Sequence, residues 1–156
     1  MAFSMYDASV PICAQQLGAL AGFIGKAADH CATNKIDEAA LLTDRLYPDM
    51  FCLARQIRGA ADFGRFTPGR LAGVPGPDFA AVDDTSFAAA KKRVEDSLAF
   101  VNTLTRAQID GSEDKVISWM AGSAERKLKG VDYLRQFVVP RTITENTMRR
   151  GFVAEG

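Results

Sequence analysis

The side chains best suited to chemistry are few and scattered. The chain has a single histidine, His30, whereas a catalytic zinc-type site takes about three protein ligands, usually His or Cys. His30 falls near the end of a long amphipathic stretch, where a cation suits the negative end of a helix, and it reads as a surface or capping residue. Cys31 stands beside it, but adjacent helical positions diverge by about 100°, so the two do not converge on one ion. The spacings CxxC, HxxxH, ExxH and HExxH do not occur, and neither a metal nor a cofactor is expected from this residue set. A serine nucleophile has no GxSxG elbow, and His30 would have to serve as base for any Ser or Cys. Cys13 and Cys52 lie on apolar stripes and read as inert core thiols. Phosphate-cradling GxGxxG and GxxxxGK[ST] loops are missing as well.

The paired carboxylates Asp37/Glu38, Asp83/Asp84 and Glu113/Asp114 each fall at a helix start or turn, where capping accounts for them. Lys91-Lys92-Arg93 and Arg149-Arg150 are short, mixed with acids, and read as solvated faces rather than a nucleic-acid patch. Trp119 reads as a core plug. One polar set stands out. Arg45, Arg55, Gln56 and Arg58 lie on or just before the second long helix, with Asp49 and Asp62 among them. If Arg55 or Gln56 points inward it needs a partner such as Asp49, Tyr133 or Glu145. Asp49, Arg55, Gln56, Tyr133 and Glu145 therefore form the candidate polar pocket, to be weighed against a purely structural network.

Positioning these residues is the work of helices. Over 7–32, Val10, Cys13, Leu17, Leu20, Ile24 and Ala28 recur at steps of three and four, with Asp7 or Ser9 as cap and Pro11 in the first turn. Gly18, Gly22 and Gly25 form a second stripe on this helix, and their helix penalty suggests close packing by another helix. Residues 36–46 read as a short helical connector. Pro48 and Asp49 open the second long helix, with Met50, Ala54, Ile57 and Ala61 inward, and Pro68-Gly69 interrupt it between Phe66 and Ala72. Residues 73–84 are the clearest loop. A third helix, capped by Asp84 to Ser86, runs to about Thr105 on Phe87, Ala90, Val94, Leu98 and Val101. After a turn at 110–114, Lys115–Met120 and Glu125–Lys129 are short enough for strands and read as a small hairpin. A last helix begins near Gly130 or Val131 with Tyr133, Leu134, Phe137 and Val138 inward, and Pro140 kinks it. Four amphipathic helices with modest loops make an all-α antiparallel bundle.

The length, 156 residues, fits one domain covering 1–156 and suffices to bury roughly 68–70% of the unfolded chain's surface without a metal or disulfide. Apolar residues make up 47% and charged residues 24%, which is a globular profile and not a disordered one. Nineteen Lys+Arg balance nineteen Asp+Glu, so net charge draws the chain toward neither nucleic acid nor an anionic membrane. The longest apolar run, Leu17–Gly25, falls well short of the ~20 residues a membrane span needs. The start carries no basic residue, no secretory signal is expected, and three unpaired cysteines suit a reducing, cytoplasmic setting.

The phrases SMYDASVP (4–11), KIDEAALLTDRLYPDMFCLARQI (35–57), RLAGV (70–74), TSFAAAKKRVEDSLAFV (85–101) and KGVDYLRQFVVP (129–140) together resemble an uncharacterised domain-of-unknown-function family within the DinB/YfiT-like metalloenzyme superfamily. The resemblance spans 4–140. It implies the DinB-like four-helix bundle with a long crossover, commonly assembled as a homodimer. It also implies, for the superfamily's enzymes, three histidines on the second and fourth helices holding a divalent metal that activates a thiol or water. This chain has no histidine on either helix, and Glu145 stands about where the closer family carries one, ahead of a shorter tail. The leading expectation is a non-catalytic bundle that binds a small molecule or serves as an interaction module. The alternative is a divalent-metal-dependent hydrolase or thiol transferase with a degenerate site drawing on Asp49, Gln56 and Glu145, whose oxygen donors favour Mg or Mn. A third expectation is dimerisation through the glycine stripe.

Overall fold

Helix α1, Val10–Asn34 in the computed structural model, carries Pro11 in its first turn and buries Val10, Cys13, Leu17, Leu20, Ile24 and Cys31. The model describes residues 4–79 and 85–138. The expected capping by Asp7 or Ser9 is replaced by other bonds: the Ser9 hydroxyl donates to the Met5 carbonyl at 2.7 Å, and Asp7 pairs with Arg106 at 2.5 Å. No described atom lies within 4 Å of a Cβ built at Gly18, Gly22 or Gly25. The stripe therefore faces open space, and within this chain no helix packs against it as the sequence suggested. The close approach occurs elsewhere, at Gly64 of α3, where a Cβ would come within 2.9 Å of the Leu17 side chain.

Helix α2 is only Glu38–Thr43, capped by Asp37, whose carboxylate accepts the Ala39 N–H. Pro48 does not open the next helix. The Met50 N–H bonds the Tyr47 carbonyl at 3.0 Å and the Leu53 N–H bonds the Asp44 carbonyl at 3.0 Å. Arg45 closes the loop by donating to the Met50 carbonyl at 2.6 Å, so α3 begins at Leu53. It runs to Ala72 straight through Pro68. Proline forfeits one helical hydrogen bond, yet Thr67, Pro68, Gly69 and Leu71 are all buried here, and packing holds the turn. What ends α3 is Gly73 at φ 73°, the left-handed stop for which glycine carries no steric penalty.

Ser86 caps α4, Phe87–Thr103, by accepting the Ala89 N–H, and Glu38 reaches over from α2 to accept the Phe87 N–H at 3.0 Å. A short helix α5, Arg106–Ile109, follows. Strands β1 (Val116–Ala121) and β2 (Ala124–Lys129) pair antiparallel with Trp119 opposite Arg126, as the sequence suggested. β1 turns Ile117 and Trp119 inward, whereas β2 is largely exposed. The chain then bends at Gly130 into α6, Gly130–Asp132, which continues as a π-helical segment, Tyr133–Val138. Pro140 and the tail beyond it lie outside the described residues. Helices α1, α3 and α4 pack on one another, and one apolar cluster runs from Met5 through them to Trp119, Tyr133 and Val138. Among the described residues, no helix is long and apolar enough to cross a membrane.

Candidate functional site

Of the four described residues of the expected pocket, the structure buries one. Asp49 is exposed in the loop before α3 and makes no side-chain hydrogen bond or ion pair with a described residue. Arg55 is exposed, with its guanidinium 3.8 Å over the Phe51 ring. Gln56 is half-buried and donates to the Phe51 carbonyl at 3.3 Å. Tyr133 is completely buried. Glu145 lies outside the described residues. Arg55 and Gln56 thus serve the α3 entry loop, and the buried polar chemistry of α3 begins two turns later.

Its first part is an arginine latch. Arg65 and Arg93 are 5% and 1% exposed, although the sequence placed Arg93 on a solvated face. Arg65 grips Asp62 through Nε and a terminal nitrogen at 3.1 and 2.7 Å and donates to the Pro77 carbonyl. Arg93 lies 4.0 Å from the same carboxylate and donates to the Phe79 carbonyl at 3.3 Å. Both guanidiniums face the Phe79 ring, at 4.7 and 5.0 Å, a contact that strengthens when desolvated. Main-chain carbonyls and a ring of the α3–α4 crossover are what these arginines hold, so the latch ties that crossover onto α3 and α4.

The second part is the seam between α3, β1 and the π-helical segment. Trp119 packs against Tyr133 and Phe137 with ring centroids 5.0 and 4.8 Å away, and Phe137 meets Phe63 at 5.8 Å. Phe63, Thr67 and Arg70 follow one another at i, i+4 and i+7 and so share a face of α3. Arg70 is half-buried, stands 5.0 Å over the Phe66 ring and donates to the Tyr133 hydroxyl at 3.1 Å. Two donors here are orphaned: the Trp119 indole N–H and the Thr67 hydroxyl are buried without a hydrogen-bond partner among the described residues. Leaving such a group unmade costs about 1–3 kcal/mol. A π-turn adds to this, since such irregularities occur frequently at functional sites. Nearby, the buried Ser112 hydroxyl also has no partner among the described residues, and a Cβ on Gly130 would overlap the Ser112 carbonyl oxygen.

The remaining ionic groups are structural. Arg106 forks onto Asp7 at 2.5 and 2.9 Å and donates to the Ser4 hydroxyl at 2.6 Å, while Asp110 accepts from Ser4 and from the Tyr6 N–H. The MYD phrase therefore staples the start of the chain to α5. The Arg106 hydrogen bond holds the Asp7 carboxyl below its usual range, and the Tyr6 N–H, then Ser4, does the same for Asp110. Burial pushes the Cys31 thiol up, helped by Glu38 and Asp37, which leaves it a poor nucleophile. His30 is exposed and bonded to Asn34 at 3.2 Å. Among the described residues no three His, Cys, Asp or Glu side chains are grouped to hold an ion, so these residues do not fit the histidine site that the superfamily resemblance implies.

Residues 5–143 match the family described as a domain of unknown function, DUF1993. The chain belongs to that family. Its fold is that of a solved DinB family member protein from Shewanella denitrificans, with a TM-score of 0.78 and 23% identity over 96% of this chain and 84% of that one. At that identity the likeness speaks for the fold. Among the curated proteins nothing matches the chain.

Sequence reasoning missed Arg65, Arg93, Thr67 and Arg70 in this region, while it singled out Asp62, Trp119, Tyr133 and Phe137. Arg93 sits three residues after buried Ala90 and four before buried Ser97, so its place in the stripe was readable once a charged residue was allowed there. Thr67, three after Gly64 and four before Leu71, carries the same signal. Trp119 was correctly read as inward, but its missing partner is visible only in three dimensions.

Proposed function

We propose that this family member is a non-catalytic, small-molecule-binding module, one DinB-like domain whose ligand seats at the seam of α3, β1 and the π-helical segment. The observation that carries this reading is the buried, unpartnered indole N–H of Trp119 among Tyr133 and Phe137. Buried polar groups in proteins are nearly always hydrogen-bonded, and an orphan donor inside an aromatic cluster is the arrangement an orienting contact requires. Tyr133, the buried member of the expected pocket, belongs to the same seam through Arg70. Among the described residues the seam offers a guanidinium, an indole, a phenol and a hydroxyl, a set suited to binding and orientation.

Trp119 is the chain's single tryptophan, so its fluorescence reports on this site alone. Titration with small aromatic and aliphatic compounds, charged and neutral, is expected to give a saturable change in intensity or wavelength with at least one chemical class. A flat response across every class, in protein shown to be folded by circular dichroism, overturns the reading.

A further inference from the structure

Resting on the binding reading above, we infer that the ligand of this seam is a small organic carboxylate with a planar apolar body, held through its anionic end by Arg70 and Trp119. The basis is the one-sided chemistry of the polar groups. Arg70 makes no ion pair with any described residue: its contacts are the Tyr133 hydroxyl at 3.1 Å and the Phe66 ring at 5.0 Å. The Tyr133 hydroxyl accepts that bond and donates to no described acceptor. The Trp119 indole can only donate, and it is unpartnered, as is the Thr67 hydroxyl. Among the described residues the seam therefore presents donors and a positive charge with no carboxylate paired to them, where the neighbouring latch supplies Asp62 to its two arginines. A group that accepts several hydrogen bonds and carries one negative charge completes it.

The geometry narrows the class further. A guanidinium presents a flat fork that matches a carboxylate's two oxygens. Phe66, on the face of which Arg70 lies, keeps that fork from swinging free. Tyr133 and Phe137 stack at 5.5 Å with planes 21° apart, a surface that favours a flat body over a bulky one. The rings already touch, so a ligand that reaches the indole nitrogen must part Trp119 from the helix. The hairpin can yield, because β2 is exposed along almost its whole length and a two-stranded ribbon is marginal in itself. Arg70 is half-buried whereas Trp119 and Thr67 are buried, so of the three it is the group most open to an anion.

The test uses benzoate and benzamide, which share a ring and differ in charge, with acetate as the carboxylate lacking a ring. Binding to the full chain is measured by Trp119 fluorescence and isothermal calorimetry, on the native protein and on Arg70→Gln and Arg70→Lys. Benzoate is expected to saturate with Kd of order 1 mM, as suits so small a probe, and at least about tenfold tighter than benzamide or acetate. Arg70→Gln is expected to remove that preference, and Arg70→Lys to restore part of it. Equal binding of benzamide and benzoate, unchanged by Arg70→Gln, overturns the carboxylate assignment but leaves the binding site standing. A lack of response to all three probes up to about 10 mM, ten times the expected Kd, overturns the assignment together with the site. Benzoate binding that Arg70→Gln does not weaken places the anion elsewhere and also refutes the inference.

Discussion

Gly130 is where the hairpin hands the chain to the last helix, and replacing it tests whether that joint is as tight as the structure makes it. In Gly130→Ala the new methyl would overlap the Ser112 carbonyl oxygen while lying 3.0 Å from the Ser112 carbonyl carbon and 3.4 Å from Leu71 Cδ2. Two of these neighbours are backbone, so no rotamer change relieves the contact and the α5–β1 turn must move. That turn is held by the Lys115 N–H on the Ser112 carbonyl (3.2 Å), the Gly130 N–H on the Lys115 carbonyl (2.9 Å) and the Val131 N–H on the Glu113 carbonyl (3.1 Å). Overpacking costs about 1–3 kcal/mol, and losing two of these bonds adds about 0.5–1.5 kcal/mol each. The expected loss is therefore about 2–6 kcal/mol, a large share of the stability of an ordinary domain. Urea denaturation followed by Trp119 fluorescence reads it out: with a slope of about 1–3 kcal/mol/M, the midpoint should fall by about 0.7 M or more. A midpoint within error of the parent would refute the claimed closeness of Gly130 to Ser112.

Gly22→Ala should act oppositely, because its methyl enters open space on an exposed helix. A gain of about 0.5–1 kcal/mol, or a few degrees in Tm, is expected by calorimetry, and a fall would mean that another molecule covers the stripe. Arg65→Met should cost about 2–4 kcal/mol in urea denaturation, since it takes from half-buried Asp62 its closer partner, leaving Arg93 at 4.0 Å, and frees the Pro77 carbonyl. A loss under about 0.5 kcal/mol, the size of an ordinary surface change, would show that the latch is not structural. The lowered carboxyls of Asp7 and Asp110 give the folded state fewer bound protons than the unfolded chain. Their stabilisation is full above the usual carboxylate value of 3.8 and is lost as pH falls through the lower folded values. Arg106→Met should flatten that acid limb in melting temperatures between pH 7 and pH 3, and an unchanged limb would contradict the staple.

The helices were legible where local rules act alone. The α1 stripe, the Ser86 cap, the hairpin pairing and the inward face of the last helix follow from periodicity and capping. The start of α3 was not, because Pro48-Asp49 is a sound helix opening that a tertiary loop, pinned by Arg45 and Asp44, overrides. Pro68 misled for a related reason: burial on all sides outweighs one missing hydrogen bond. Arg65 and Arg93 look like surface residues in sequence because charged side chains almost never bury unless paired. Arg65 does have Asp62 three residues before it on α3, but the crossover carbonyls of Pro77 and Phe79, and for Arg93 the carboxylate on another helix, are brought in only by the fold. The winding of 133–138 as a π-helix and the orphaned indole of Trp119 leave no mark in the sequence.

The central claim is that the Trp119 N–H waits for an acceptor from outside the chain. A 1H–15N spectrum of the full protein contains one indole resonance, since there is one tryptophan. Adding benzoate should move that resonance downfield to a plateau as the orphan N–H gains an acceptor, with benzamide moving it less. An indole signal that stays in place while benzoate reaches saturating concentration would contradict the account.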